Sequence, residues 1–172
     1  MVAPLRHWAE ALVRRVGQGA SWLILAMVLV TFTIVILRYG FNLGWIWLQE
    51  SVSYLHAAVF MLGAAWCWQD DGHVRVDILY RDRSARHQAR INALGTLLFL
   101  LPVCGFMLWI GWDYVAASWR LLEGSRQAGG LPAVFLLKSL VLALPALLLL
   151  QAVCTLPATV RQALAPAAVD TA

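Results

Sequence analysis

The chain has 172 residues, of which 62% are hydrophobic and only 13% charged, with a formal net charge of +4. Its mean hydropathy is +0.73, and an ordinary water-soluble domain carries about twice that share of charge. A soluble chain of this size has too little interior to hide so much apolar surface, so the composition excludes a water-soluble globule and points to lipid as the second solvent.

Four uncharged windows carry that reading. Arg15 and Arg38 bracket 22 residues, Glu50 and Asp70 bracket 19, Arg90 and Asp113 bracket 22, and Lys138 and Arg161 bracket 22. A hydrocarbon core of about 30 Å takes about 20 helical residues, and backbone in lipid satisfies its own hydrogen bonds. The sequence therefore predicts an all-α integral membrane protein with four transmembrane helices. The first apolar segment is longer than the core of a signal peptide and lacks a small-residue cleavage site after it, so it reads as an uncleaved span.

In chain order, residues 4–16 alternate apolar and basic positions at helical spacing. Leu5, Trp8, Ala9, Leu12, Val13 and Val16 would share one side. This predicts a short amphipathic helix on the membrane surface. Span one follows at about 18–38 and breaks at Gly40 and Asn42. Residues 43–69 are longer than a simple span needs, and their first part mixes Trp45 and Trp47 with Gln49, Glu50 and Ser51. An amphipathic interfacial helix is predicted at about 43–52, with span two at about 53–69, stopped by Asp70, Asp71 and Gly72. Span three is expected at about 91–117 with a kink at Pro102. A Gly-rich polar loop leads to Pro132 and span four at about 133–157. That span is expected to kink at Pro145 and stop at Pro157, leaving a tail at 158–172.

Charge sets the orientation. With four spans, one side holds Arg6, Arg14, Arg15, Arg75, Arg81, Arg83, Arg86, Arg90 and Arg161. The other holds Arg38, Arg120, Arg126 and Lys138. The excess of positive residues marks the cytoplasmic side, so both termini are expected in the cytoplasm. Arg14, Arg15, Arg75, Arg81, Arg83, Arg86 and Arg90 then act as topology anchors that meet anionic lipid headgroups. An isoelectric point near 9.3 also suits nucleic-acid binding. The topology already accounts for the charge, however, and Asp77 and Asp82 interrupt the basic run.

Little in the windows resembles chemical equipment. Transport sites place ionisable residues or broken helices at mid-membrane. Here the candidates are only His56, Asn92 and Gln151. A haem site between spans needs paired histidines, and His56 alone lies in a span. His73 and Asp77 are a helical turn apart, which suits a local hydrogen bond better than a metal. Cys67, Cys104 and Cys154 form no disulfide or zinc pattern. No catalytic residue, metal or cofactor is expected. Arg38 and Glu50 both fall at the outer boundary, and pairing them would fix the interfacial helix against span one.

Several short marks share one order. They are Arg38-Tyr39, Trp47 to Glu50, Gly63-Ala64-Ala65, His73 to Asp77, and Gly130-Leu131-Pro132. With four spans, the chain resembles the small membrane subunit of tripartite ATP-independent periplasmic (TRAP) transporters, apart from Gln49, where that family often has an acidic or small residue. The resemblance implies a non-catalytic subunit in the bacterial inner membrane. It would brace a large elevator-type subunit that imports an organic acid on a sodium gradient, supplied by a periplasmic binding protein. Arg38, Trp45, Trp47, Glu50, His73 and Asp77 would then be structural or interface residues. The alternatives are a small membrane haem or redox protein, and a free-standing small transporter.

Overall fold

The computed structural model describes residues 2–73, 80 and 83–165. Arg75, Asp77 and Arg81 lie outside them, as does the end of the expected tail. Four helices are long and apolar enough to cross a membrane, and no strand occurs among the described residues. They are α1 (Val2–Gly40), α2 (Ile46–Gln69), α3 (Ala85–Leu121) and α4 (Val134–Leu164). α1 packs along α2, α2 also packs against α4, and α4 against α3. The result is a slab in the order α1, α2, α4, α3. One edge gathers the basic ends of the helices and the opposite edge gathers the two remaining connections.

Two expected helices are absent as separate pieces. Residues 4–16 do not lie on the surface but form the first third of α1, a single helix of 39 residues, about 58 Å long. No proline follows Pro4 in this stretch, and the helix runs through Gly17 and Gly19 without a break. Ala9, Val13, Gly17 and Ala20 recur at helical spacing and are buried, so one stripe of this stretch packs on the rest of the protein. Trp8, expected to share a side with Ala9 and Val13, is exposed. Likewise no horizontal helix forms at 43–52. Residues 41–45 are a non-helical connection, and α2 runs unbroken for 24 residues from Ile46. It holds no proline, so nothing forces its ladder open near residue 52.

The ends of the helices follow the turn signals closely. Gly72 N donates to Cys67 O at 2.8 Å and Asp71 N to Trp68 O at 3.1 Å, with Asp71 at φ 59°. This is a Schellman cap, in which a left-handed residue lets two backbone N–H groups reach the last carbonyls. α1 ends with a related turn, Leu43 N to Leu37 O at 2.9 Å with Asn42 at φ 54°. α3 ends in the same way as α2, with Glu123 N to Ser118 O at 3.1 Å and Leu122 at φ 44°.

Prolines are absorbed rather than obeyed. Before Pro102 the chain forms a π-helical segment, Thr96–Leu100, and Leu101 N reaches back to Thr96 O. That wider turn accommodates a ring that cannot donate a ladder bond. α4 continues through Pro145 and also through Pro157, the expected stop, to Leu164. Ending the helix would free several backbone groups, whereas keeping it loses one bond.

The packed interior is made of small residues. Ala65, Ala89, Ala93, Ala152, Gly111 and Ser118 are buried, while Phe32, Phe60, Phe99, Trp109 and Trp112 face outward. Between helices in lipid, close backbone approach is what gains contact energy, so small residues collect there. Gly17 is the clearest case: a Cβ at that position would overlap the Trp66 side chain, whereas one at Gly19 would meet nothing within 4 Å. Gly17→Leu is therefore expected to lower stability by about 1–3 kcal/mol through overpacking. Gly19→Leu should leave it nearly unchanged. Thermal unfolding of both variants in the same detergent checks the contrast.

Candidate functional site

Polar side chains gather at the edge opposite the arginines, where the loop between α3 and α4 folds back over the start of α2. Glu50 sits one turn into α2. Ser125 Oγ donates to its Oε1 at 2.5 Å, and Leu131 N donates to its Oε2 at 2.7 Å. Beside it Trp47 N, an orphan donor of the first helical turn, donates to Gly129 O at 3.1 Å. The loop closes on itself through Ser125 N to Leu131 O at 2.9 Å and Gly130 N to Gln127 O at 3.0 Å. Two residues must be glycine for this. Gly129 has φ 76°, and a Cβ on Gly130 would strike Ser125 Oγ and lie 2.8 Å from Glu50 Oε2. The marks Trp47 to Glu50 and Gly130 to Pro132, 80 residues apart in sequence, are thus two halves of one clasp.

Arg38 is not part of it. Arg38 is exposed in the last turn of α1, and both Glu50 oxygens are engaged by the loop. The expected Arg38–Glu50 pair is replaced because a serine and a backbone N–H reach the carboxylate from the loop. Trp45 caps α2 with its backbone only, and Trp45 and Trp47 are partly exposed.

A second knot lies next to the first. Glu123 accepts from Lys138 Nζ at 2.5 Å and from Ser118 Oγ at 2.7 Å, and its carbonyl accepts Phe135 N at 3.4 Å. Lys138 Nζ stands 4.1 Å from the centroid of the Tyr114 ring, a cation–π contact. Trp119 Nε1 donates to Ser139 Oγ at 2.8 Å, and the Trp119 and Phe135 rings meet edge-on at 4.7 Å. The bond from Lys138, and then that from Ser118, holds the Glu123 carboxyl below its ordinary value. Sequence reasoning used Lys138 only to bound a window and to count charge on one side, and did not single out Glu123. Fifteen residues separate them, and nothing local announces the turn that brings them together.

At the basic edge the arginines do more than mark a side. Arg86 Nε and Arg90 Nε both donate to Ala163 O at 3.2 Å, so α3 caps the last turn of α4. Arg14 lies 3.7 Å from Asp70, and Gln69 Nε2 donates to Glu10 O at 3.3 Å, which joins α1 to the end of α2. Arg15 and Arg83 are exposed. His73 Nδ1 stands 3.9 Å from Cys67 Sγ. Of the polar candidates within the windows, His56 meets the Phe60 ring at a tilt of 43°, with centroids 4.5 Å apart. Asn92 Nδ2 donates to Tyr80 OH at 3.0 Å. Gln151 is only 1% exposed, and its Oε1 has no partner among the described residues.

Four apolar helices stitched by polar contacts at both edges define a polytopic α-helical membrane protein. A family model described as the DctQ component of tripartite ATP-independent periplasmic transporters matches residues 27–162. The chain belongs to that family and is the small permease component of a TRAP transporter. Comparison with curated proteins gave no match, and comparison with solved structures gave none.

Two outcomes test the clasp. Glu50→Ala and Gly130→Val should each free the loop from α2, seen as faster protease cleavage within 123–131 and a lower melting temperature, whereas Arg38→Ala should change neither. The lowered Glu123 carboxyl contributes stability above pH 4.5, the ordinary value. That stability is lost as pH falls below 4.5 through the lower folded value. Glu123→Gln should flatten this acid limb in a melting-temperature series against pH.

Proposed function

We propose that this subunit braces the large permease subunit of a TRAP importer in the bacterial inner membrane, with both termini in the cytoplasm. The large subunit carries an organic acid inward on a sodium gradient, and a periplasmic binding protein delivers it. The observation that carries this reading is how the polar groups are spent. Glu50, Glu123, Lys138, Arg86 and Arg90 all bind the protein's own loops and helix ends. Meanwhile the broad faces present large apolar side chains such as Trp109, 77% exposed, and Phe99, 70% exposed.

The arrangement suits a fixed part. An elevator-type carrier moves one domain against another, and in a fluid bilayer the unmoving part gains from a wide, stiff footprint. A slab four helices wide, knotted at one edge by the Glu50 clasp and capped at the other by Arg86 and Arg90, supplies one. Its outward faces are free for lipid on one side and for the large subunit on the other. The basic edge faces the cytoplasm on the bias of positive residues, and the clasp then faces the periplasm.

Deletion of this subunit is expected to abolish substrate uptake by cells that still make the large subunit and the binding protein. Each of those alone, and this chain alone in proteoliposomes, should give no uptake. Undiminished uptake without the chain, or solute flux through it alone, refutes the bracing role. A cysteine-pair scan against the large subunit with both edges as reference reads the orientation.

A further inference from the structure

α3 and α4 run antiparallel, and the bonds from Arg86 and Arg90 to Ala163 O put those residues level with one another. About 12 Å along α3 from Arg90, or about eight residues, lies the π-helical segment Thr96–Leu100. The same distance back along α4 from Ala163 lies Thr155. Both helices lose their regular ladder at this one depth. In α3 the wide turn is followed by Pro102, which has no N–H to give. In α4 Pro157 cannot donate to Val153 O. Around it Thr155 Oγ1 donates to Gln151 O at 3.0 Å, and Thr159 Oγ1 donates to Thr155 O at 3.1 Å. Hydroxyls that bond back to the preceding turn bend a helix, and π turns and prolines are where helices kink.

The packing changes at the same depth. On the clasp side α4 buries Pro145, Gln151, Ala152 and Cys154. There a Cβ on Gly111 of α3 would stand 3.0 Å from Leu142, and the Trp119–Ser139 and Glu123–Lys138 contacts tie the two helices together. On the basic side Ala163 is the one buried residue of α4 after Cys154, and α3 buries Ala89 and Ala93. Ala85–Gly95 packs on α4 and has no comparable packing on α1 or α2 among the described residues. The two helix ends thus hold each other, through the arginines and three alanines, more than they hold the rest of the slab. Segments with few buried contacts are the ones that move.

We infer that the basic ends of α3 and α4 form one swivelling hairpin, hinged at the π turn of Thr96–Leu100 and at Pro157, while the clasp half of the slab stays fixed. Arg86 and Arg90 make the hairpin one body, because both hold the same carbonyl of the other helix. A tilt of about 20° at the π turn carries Ala85, about 20 Å away, through about 7 Å. For transport, the swivel rests on the bracing role and refines it: the clasp half supplies the fixed footprint, and the hairpin follows movement beside it. The hinge itself rests on the geometry of α3 and α4 alone.

The full chain, purified with whatever partner accompanies it and placed in lipid nanodiscs, is spin-labelled on genetically encoded side chains, which leaves Cys67, Cys104 and Cys154 in place. Pulsed electron paramagnetic resonance then reads distances between exposed positions. The inner pairs are Arg15 with His87 and Arg15 with Gln162, and the outer pair is Tyr39 with Leu121. Both inner distributions are expected to be broader than the outer one by about 5–7 Å. Pro102→Leu combined with Pro157→Leu restores both ladder donors, and it should narrow the inner pairs to the outer width while melting no lower than wild type. If that double variant does not fold, Pro157→Leu alone replaces it and should narrow the Gln162 pair. The swivel is refuted if the inner pairs are as narrow as the outer pair, if only one of them is broad, or if the folded variant leaves their width unchanged. No transport is measured, so a failed swivel leaves the uptake test of the bracing role standing, and a failed uptake test leaves the swivel standing.

Discussion

In hydrocarbon, apolar side chains gain nothing by leaving the solvent, because the solvent is as apolar as they are. Every other feature of this molecule follows from that constraint. With no hydrophobic pull between helices, contact has to come from close approach, and close approach needs residues without bulk. Gly17 beneath Trp66, Ala65, Ala152 and Gly111 are buried, and Phe32, Phe60, Phe99, Trp109 and Trp112 face outward. The usual distribution of large and small apolar residues is turned inside out.

Packing of that kind leaves the helices free to slide and tilt unless polar contacts fix them, and polar contacts cost least at the edges, where water is near. The protein places them there. At one edge a carboxylate one turn into α2 collects a loop hydroxyl and a loop N–H, and a second carboxylate ties α3 to α4 through Lys138. At the other edge two arginines of α3 share the Ala163 carbonyl in the last turn of α4. The small residues set the distances between helices, and the edge contacts set their register. Glycine at 129 and 130 belongs to the second task, since a side chain at 130 would fill the space that the Glu50 carboxylate needs.

This division is what the bracing role proposed above asks for. A subunit that carried solute would need polar groups turned toward a path. The ionisable groups named above are turned toward the chain's own ends.

Much of this was legible in the residues. The four uncharged windows dictated four helices because a backbone in lipid has no other partner for its hydrogen bonds. Asp70 to Gly72 and Asn42 ended helices where short polar residues accept a left-handed backbone. The short marks spread along the chain gave the family. Other features belonged to the tertiary structure. Residues 4–16 and 43–52 have an amphipathic pattern that a membrane surface and a packed protein edge satisfy equally well, and only the neighbours of Ala9, Val13 and Ile46 chose between them. Pro157 stops a helix in water, yet here the helix ran on because the alternative would free more backbone than the ring removes. The partner of Glu50 was hidden for a different reason. It lies 75 residues away in a loop whose fold depends on the clasp itself, so opposite charge nearby in sequence pointed to Arg38, while the three-dimensional path of the chain delivered Ser125 and the Leu131 N–H.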